Sequence, residues 1–144
     1  MISFANKIYS YNRSVVSLEV LKTLKIIKKK LKKLKIVSVK SGSKIFDWKI
    51  PKEWKSISAK VIDKNKNVII NYEDNNLHLV SHSISVNKNF KLKDLKKKLF
   101  FLKKQPNAIP YRTTYYKQDW GICLSYNQFK KLKDIKLAPS LIIF

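Results

Sequence analysis

The hydrophobic periodicity changes once along the chain, and this change constrains the fold more than any other feature. From Ser17 to Lys35, apolar residues recur at alternating steps of four and three with lysines between them, which predicts an amphipathic helix. Ser17 is placed to cap this helix, and Glu19 puts a negative charge near the positive end of the helix dipole. A shorter helix is predicted from Ile2 to Tyr11.

Beyond Lys35 the apolar residues follow the short runs that are typical of β-strands. Polar clusters at 41–43, 63–67 and 73–76 separate these runs, and such short connections favour antiparallel pairing. The predicted strands cover residues 36–40, 44–48, 57–63, 67–72 and 77–86.

Leucines at helical spacing predict a second lysine-coated helix, which Asn89 would cap and which would end before Pro106. A further short helix is predicted to end near Asp134. Its start carries a capping box, Ser125 with Gln128, which Leu124 and Phe129 flank as a hydrophobic staple. The four leucines of the second helix are Leu92, Leu95, Leu99 and Leu102.

The apolar run at residues 137–144 resembles a strand that lacks a partner. Such a run is an aggregation liability, so it suggests truncation, a shifted reading frame or a missing partner surface. Together these patterns predict an α+β fold with an N-terminal amphipathic helix, a small, mostly antiparallel β region, and short middle and C-terminal helices.

Charge is the most unusual bulk property, since 32 basic and nine acidic residues give a formal charge of +23. Such a balance suggests nucleic acid or an anionic membrane as a partner. However, only Arg13 and Arg112 are arginines, the residue suited to bidentate phosphate and guanine contacts, so specific nucleic-acid recognition is not expected. Two explanations stay open, namely an A/T-rich genome that favours lysine codons and a selected anion-binding surface.

The residues that could carry chemistry are few. Cys123 is the single cysteine, which excludes an internal disulfide, favours a reducing cytoplasm and, in an apolar context, predicts an inert thiol rather than a nucleophile paired with His78. His78 and His82 lie in a run predicted to be extended, which would place their backbones roughly 13 Å apart. No metal site, catalytic residue, secretory signal or membrane-spanning run is predicted.

An aromatic-rich segment at residues 111–116 follows two prolines and is the most site-like stretch. A proline-framed loop can present rings and hydroxyls to a ligand, and packing of the loop onto the core is the alternative.

Several motifs resemble, in the same order, those of a bacterial aminopeptidase-like family whose N-terminal region has unknown function. The resemblance covers about residues 5–134 and includes the pair Arg13-Ser14. The motifs are SGSKIFDW at 41–48, PKEW at 51–54, NLHLV at 76–80, QPNAIPY at 105–111, TYY at 114–116 and WGICLS at 120–125.

The resemblance implies a cytoplasmic relative of co-catalytic zinc aminopeptidases, in which a small β-rich insertion interrupts an α/β peptidase-like domain. It implies that residues 1–40 are the N-terminal helical segment and first strand of the peptidase-like domain. Residues 41–134 would be the β-rich inserted domain with two helices, and residues 135–144 a truncated or divergent apolar tail.

The family's metal-binding segment lies beyond the position of Asp134, so this chain would be an N-terminal part without zinc and without peptidase activity of its own. Zinc and a peptide-like substrate would belong to a full-length relative. The implied partners are the missing C-terminal peptidase-like part or a second copy. His78, Tyr111, Tyr115 and Tyr116 are the candidate substrate-facing residues.

The chain departs from the family pattern at two informative positions. His82 stands where the family usually has tyrosine, and Tyr126 stands where it usually has histidine. These departures weaken any claim of retained function. The lysine-rich faces keep a second hypothesis open, in which the chain is a non-enzymatic module that binds nucleic acid or anionic surfaces.

Overall fold

The computed structural model describes residues 2–14, 16–134 and 140–143. Its contacts divide the chain into two units, Met1–Lys55 and Ser56–Phe144. The predicted boundaries after residues 40 and 134 concern the domains of a longer relative and stay predictions.

The first unit contains the two predicted N-terminal helices, α1 (Ile2–Ile8) and α2 (Leu18–Lys30). Ser17 is the N-cap residue of α2, as predicted, with an extended backbone, but its hydroxyl donates to the carbonyl of Asn12 at 3.1 Å instead of capping. The prediction that the helix continues to Lys35 is wrong, since it ends at Lys30. Residues 28–33 hold five lysines and no acid, and like charges on neighbouring turns disfavour a helix.

The predicted strand at 36–40 is also wrong, because these residues have no strand partner. The predicted strand at 44–48 is instead an antiparallel hairpin of β1 (Lys44–Ile45) and β2 (Trp48–Lys49). Phe46 and Asp47 form its two-residue turn, and Phe46 has a left-handed φ of 53°. We call residues 44–49 the Phe46 hairpin.

The second unit is built on a four-stranded antiparallel sheet with the order β4-β3-β8-β5. The strands β3 (Ala59–Ile62) and β4 (Val68–Asn71) form a predicted antiparallel pair. In the turn between them, the Asp63 carboxylate accepts bonds from the backbone N–H groups of Asn65 and Asn67, each at 2.8 Å. The hydrogen bond from the Asn67 side chain, followed by these backbone bonds, lowers the pKa of Asp63 below its ordinary value.

The sheet corrects the expectation that the apolar C-terminal run is a strand without a partner. Ser140–Ile143 forms β8, which pairs with β3 on one side and with β5 (Val86–Asn89) on the other. Residues 135–139 and 144, the rest of the predicted tail, lie outside the described residues.

The predicted extended run at 77–86 is wrong as well. Asn76–His78 forms a 3-10 helix, and the Asn75 side chain accepts from the Leu77 N–H at 3.0 Å to cap it. Single β-bridges follow at Leu79 and Ser81.

The middle helix α3 (Leu92–Lys96) is shorter than predicted, and Lys91 rather than Asn89 is its N-cap. It ends early because β6 (Leu99–Phe100) pairs in parallel with β7 (Ile122–Cys123). The C-terminal helix α4 (Tyr126–Asp134) agrees with the prediction.

The predicted capping box of α4 is confirmed. The Ser125 N–H donates to Oε1 of Gln128 at 2.8 Å, and the Gln128 N–H donates to the Ser125 hydroxyl at 3.1 Å. Leu124 and Phe129, the predicted staple residues, are both buried.

The hydrophobic core lies in the second unit, where every buried apolar side chain of the described residues is found. In the first unit the buried residues of the described part are Ser14 and Thr23. No helix in the described part of the chain is long and apolar enough to cross a membrane. The core residues are Ala59, Val61, Ile70, Leu79, Val80, Leu95, Leu99, Trp120, Ile122, Cys123, Leu124, Phe129 and Leu132.

Candidate functional site

A small irregular layer around β7 supports the aromatic-rich loop at residues 111–116, which we call the aromatic loop. On one side β7 pairs with β6, and on the other Ile122 forms an antiparallel bridge with Leu79. The Val80 N–H donates to the carbonyl of Gly121 at 3.1 Å, which extends this contact by one residue. The layer therefore holds the segment at 79–81 beside the buried strand.

Ser81 fixes the aromatic loop to this layer. Its N–H donates to the carbonyl of Arg112 at 3.0 Å, and its carbonyl accepts from the N–H of Thr114 at 2.9 Å. Together with the parallel bridge to Thr113, these bonds attach the loop backbone to a segment that lies about thirty residues earlier.

The loop presents three of the four predicted site residues. The ring of Tyr115 meets the ring of Tyr116 edge-on, with centroids 4.8 Å apart, and the ring of His82 edge-on at 5.1 Å. Tyr116 is 89% exposed, and Tyr111, at the start of the loop, is 62% exposed. The site is thus a fixed loop with two exposed tyrosines and a half-buried ring pair beneath Tyr116.

His82 lies in the candidate site through its contact with Tyr115, whereas the sequence raised it only as a candidate metal ligand. Its backbone has a φ of 65°, in the left-handed region that residues with a side chain seldom adopt. Held backbone strain of this kind clusters at functional sites. The departure from the family's tyrosine was the one sequence signal at this position.

His78, the fourth predicted site residue, is buried, in contrast to the exposed rings of Tyr111 and Tyr116. It is 4% exposed, and its Nδ1 lies 2.8 Å from the carbonyl oxygen of Cys123. Because a carbonyl can only accept, Nδ1 carries the proton, and the bond joins the 3-10 helix to β7. The predicted contact between His78 and a substrate stays a prediction.

The Cys123 thiol is fully buried, and burial raises its pKa to about 12, while the charge of Arg112 acts in the opposite direction. His78 bonds to the backbone carbonyl of this residue, so the pair does not form the thiol and base that the sequence allowed. The predicted burial of the thiol is confirmed, and its lack of reactivity stays a prediction. The Arg112 guanidinium instead lies over the ring of Phe100, 4.6 Å from its centroid.

An ion pair anchors the segment that leads from the loop back to β7. The Lys98 ammonium donates to the Asp119 carboxylate and lies 5.8 Å from the centroid of the Trp120 ring. The Lys98 bond, followed by the bond from the Trp120 N–H, holds the pKa of Asp119 below its ordinary value.

Gly121 permits the close packing of this layer. A Cβ atom at this position would lie 2.6 Å from Cε2 of Phe100 and 3.0 Å from Cγ2 of Val80. Only glycine therefore allows these two side chains to cover the strand without a shift.

The described residues do not fit a zinc centre. Within 2–14, 16–134 and 140–143, no group of three or more His, Cys, Asp or Glu side chains could hold a metal ion. A pair of zinc ions would need several such ligands, which these residues do not bring together.

Comparison with known proteins gives related chains that are longer. A Clostridium acetobutylicum protein, provisionally named for polysaccharide biosynthesis with an aminopeptidase-like domain, is 42% identical over 122 residues, which are 85% of this chain and 28% of that protein. A crystal structure of a provisionally named peptidase from the same organism matches 98% of this chain and 33% of its own, with a TM-score of 0.91 and 36% identity. The chain thus spans about a third or less of these relatives, and the resemblance to aminopeptidase-like proteins is confirmed.

A family model described as "Domain of unknown function (DUF2172)" matches residues 53–138, which is 86 of the 144 residues and includes β3 to β7 and the aromatic loop. On that match, the chain belongs to the DUF2172 family.

Proposed function

We propose that this chain is a non-catalytic module of an aminopeptidase-like assembly. The observation that carries the proposal is the length relation, since the chain spans 28% and 33% of relatives that carry peptidase-related names. The lack of a metal-holding group within the described residues supports the same conclusion.

In such an assembly the zinc chemistry belongs to a peptidase-like part, where metal ions polarise the peptide carbonyl and activate water. This chain shapes the entrance for a peptide-like substrate. Tyr111 and Tyr116 offer exposed rings and hydroxyls, and the Ser81 bonds hold their loop in place before a ligand arrives. Tyr115 supports Tyr116 from beneath.

The peptidase-like part is the proposed partner, with a second copy of the chain as the alternative. We place the assembly in the cytoplasm, where a single buried thiol stays reduced. We also propose that residues 1–40 belong to the peptidase-like domain and that residues 41–134 form the inserted domain.

The first experiment measures hydrolysis of aminoacyl p-nitroanilides by the purified chain with added zinc. We expect no turnover above buffer. Zinc-dependent hydrolysis that a chelator abolishes would show that this chain holds a metal site and that the proposal is wrong.

The second experiment uses a full-length chimera, in which residues 1–144 replace the matching part of the Clostridium relative. If the chimera hydrolyses an aminoacyl reporter, Tyr116→Ala should raise KM several-fold with little change in kcat, because the exposed ring contacts bound substrate. The matched control is Tyr9→Ala, which removes a similarly exposed tyrosine of the first unit. An unchanged KM for Tyr116→Ala would remove the proposed role of the loop.

A second candidate function is binding to anionic surfaces without catalysis. It is favoured by the first unit, where 15 basic and three acidic residues give a net charge of +12. The test is binding to DNA and to anionic vesicles at 50 and 300 mM salt, where screening should weaken the complex steeply. Binding that does not change with salt would count against this function.

A further inference from the structure

The Phe46 hairpin contains two locally unfavourable features. Phe46 has a φ of 53° at the turn, where a side chain is strained, and the residue is 93% exposed. Lys44 and Lys49 are cross-strand partners, so two like charges lie directly opposite each other at the base of the hairpin.

Neither feature helps an isolated hairpin to fold. Glycine or asparagine at position 46 would adopt the left-handed conformation with less strain and would expose no ring. A polar or acidic residue at position 44 or 49 would remove the repulsion. Strain of this kind is found where a side chain contacts a ligand, so a partner of the hairpin should accept an aromatic ring and neutralise two ammonium groups.

The surroundings define the chemistry of that partner. Val37, which is 82% exposed, and Val39 and Trp48 add exposed apolar surface close in sequence. Residues 37–55 contain five lysines and two acids, Asp47 and Glu53, so the segment has a net charge of +3. The partner therefore combines an apolar phase with negative charge.

Other partners fit this combination less well. A second copy carries the same charge of +23, so it does not supply the negative charge that this hairpin requires. Nucleic acid offers charge, and its bases can stack on an aromatic ring, but it offers no apolar phase for the exposed side chains of Val37 and Val39. A bilayer leaflet with anionic headgroups offers both, since aromatic rings settle at the headgroup level and lysines bind lipid phosphates.

We infer that the Phe46 hairpin docks on a membrane leaflet that contains anionic phospholipid, with Phe46 at the boundary between headgroups and acyl chains and with Lys44 and Lys49 on lipid phosphates. This inference rests on the second candidate function and deepens it. Asp47 opposes the interaction, because its carboxylate lies in the same turn.

The experiment measures binding of the full chain to vesicles of phosphatidylglycerol and phosphatidylcholine at 1:1, and to vesicles of phosphatidylcholine alone. Phe46→Gly should weaken binding to the anionic vesicles about tenfold. The same substitution relieves the strained turn, so its melting temperature should equal or exceed that of the wild type. The matched control is Tyr9→Gly, which removes an exposed aromatic residue at another turn and should bind like the wild type.

Charge variants test the orientation of the hairpin. Lys44→Gln and Lys49→Gln should each weaken binding to anionic vesicles about fivefold, and Asp47→Asn should strengthen it. Phe46→Trp should add a blue-shifted tryptophan emission on anionic vesicles.

The outcomes separate the two proposals. If Phe46→Gly binds anionic vesicles as tightly as the wild type, the hairpin inference is overturned, while salt-sensitive vesicle binding would still support the broader function. If the wild type binds DNA but shows no preference for phosphatidylglycerol, the bilayer is the wrong partner. If it binds neither DNA nor vesicles, both proposals fail.

Discussion

Replacing Gly121 by alanine tests the packing that supports the aromatic loop. The new Cβ would lie 2.6 Å from Cε2 of Phe100 and 3.0 Å from Cγ2 of Val80, both closer than ordinary contacts. Phe100 cannot move freely, because its backbone pairs with Cys123 and its ring lies under the Arg112 guanidinium. Overpacking of this kind typically costs about 1–3 kcal/mol, so we expect Gly121→Ala to lower the free energy of unfolding by about 2 kcal/mol.

Thermal unfolding followed by circular dichroism measures this change. The second unit has 89 residues, from 56 to 144. At about 2.1 cal/mol/K per residue its unfolding entropy is about 0.19 kcal/mol/K, so 2 kcal/mol corresponds to a fall of about 10 °C in melting temperature. Urea unfolding gives an independent value for the same free energy.

The double variant with Phe100→Leu shows whether the clash is the cause. Leucine lacks the Cε2 atom, so the two substitutions together should cost at least about 1 kcal/mol less than the sum of the single ones. Gly42→Ala serves as the control, since its φ of 88° is strained but no atom lies within 4 Å of the added Cβ. Its cost should not depend on Phe100. The reasoning is refuted if the costs of Gly121→Ala and Phe100→Leu in free energy of unfolding simply add in the double variant. It is also refuted if the Gly121→Ala protein has the melting temperature of the wild type.

Three further predictions concern single side chains. Ser125→Ala removes the hydroxyl that accepts from the Gln128 N–H and should lower the free energy of unfolding by about 1 kcal/mol in urea, whereas Ser125→Thr should not. Burial raises the pKa of the Cys123 thiol from its ordinary 9.0 to about 12, so the free energy that the buried neutral thiol contributes to folding should be complete below pH 9 and lost as the pH rises towards 12. At pH 8 the native thiol should react with Ellman's reagent about 1,000-fold more slowly than the unfolded thiol in urea, because far less of it is ionised. The Lys98 hydrogen bond lowers the pKa of Asp119, so the contribution of this carboxylate to stability should be present above pH 4 and lost as the pH falls further. Asp119→Asn, in a pair one-third exposed, should cost about 0.5 kcal/mol at pH 7 and progressively less as the pH falls below 4.

Local chemistry was predictable from the sequence. The start of α4 follows from the exchange of two hydrogen bonds between Ser125 and Gln128, which needs only three residues of separation. The β3–β4 pair follows from a polar turn in which Asp63 bonds to its own near neighbours. Both signals act within a few residues, so later packing did not overturn them.

Long-range pairing was not predictable. Leu99 continues a helical leucine pattern, yet it lies in β6 because a parallel neighbour about 23 residues later, Ile122, takes up its backbone groups. β8 pairs with β3 across nearly eighty residues, and no local pattern names such a partner. Tertiary pairing of this kind overrides a regular apolar spacing.

The candidate site combines both cases. The exposure of loop tyrosines was predictable, because prolines beside clustered aromatic residues in one short segment are typical of a loop that presents its side chains to solvent. Its partner His82 was not, since no local pattern in the sequence placed a left-handed turn at this position. The ring of His82 meets Tyr115 because Ser81 binds the loop backbone from about thirty residues away. His78 is the opposite case. Its side chain suggested contact with a substrate, whereas the structure buries it and joins it to the Cys123 carbonyl, so that it helps to hold β7 in place. The sequence of the loop therefore determines which side chains the candidate site exposes. The orientation of the loop depends on backbone bonds to residues outside it.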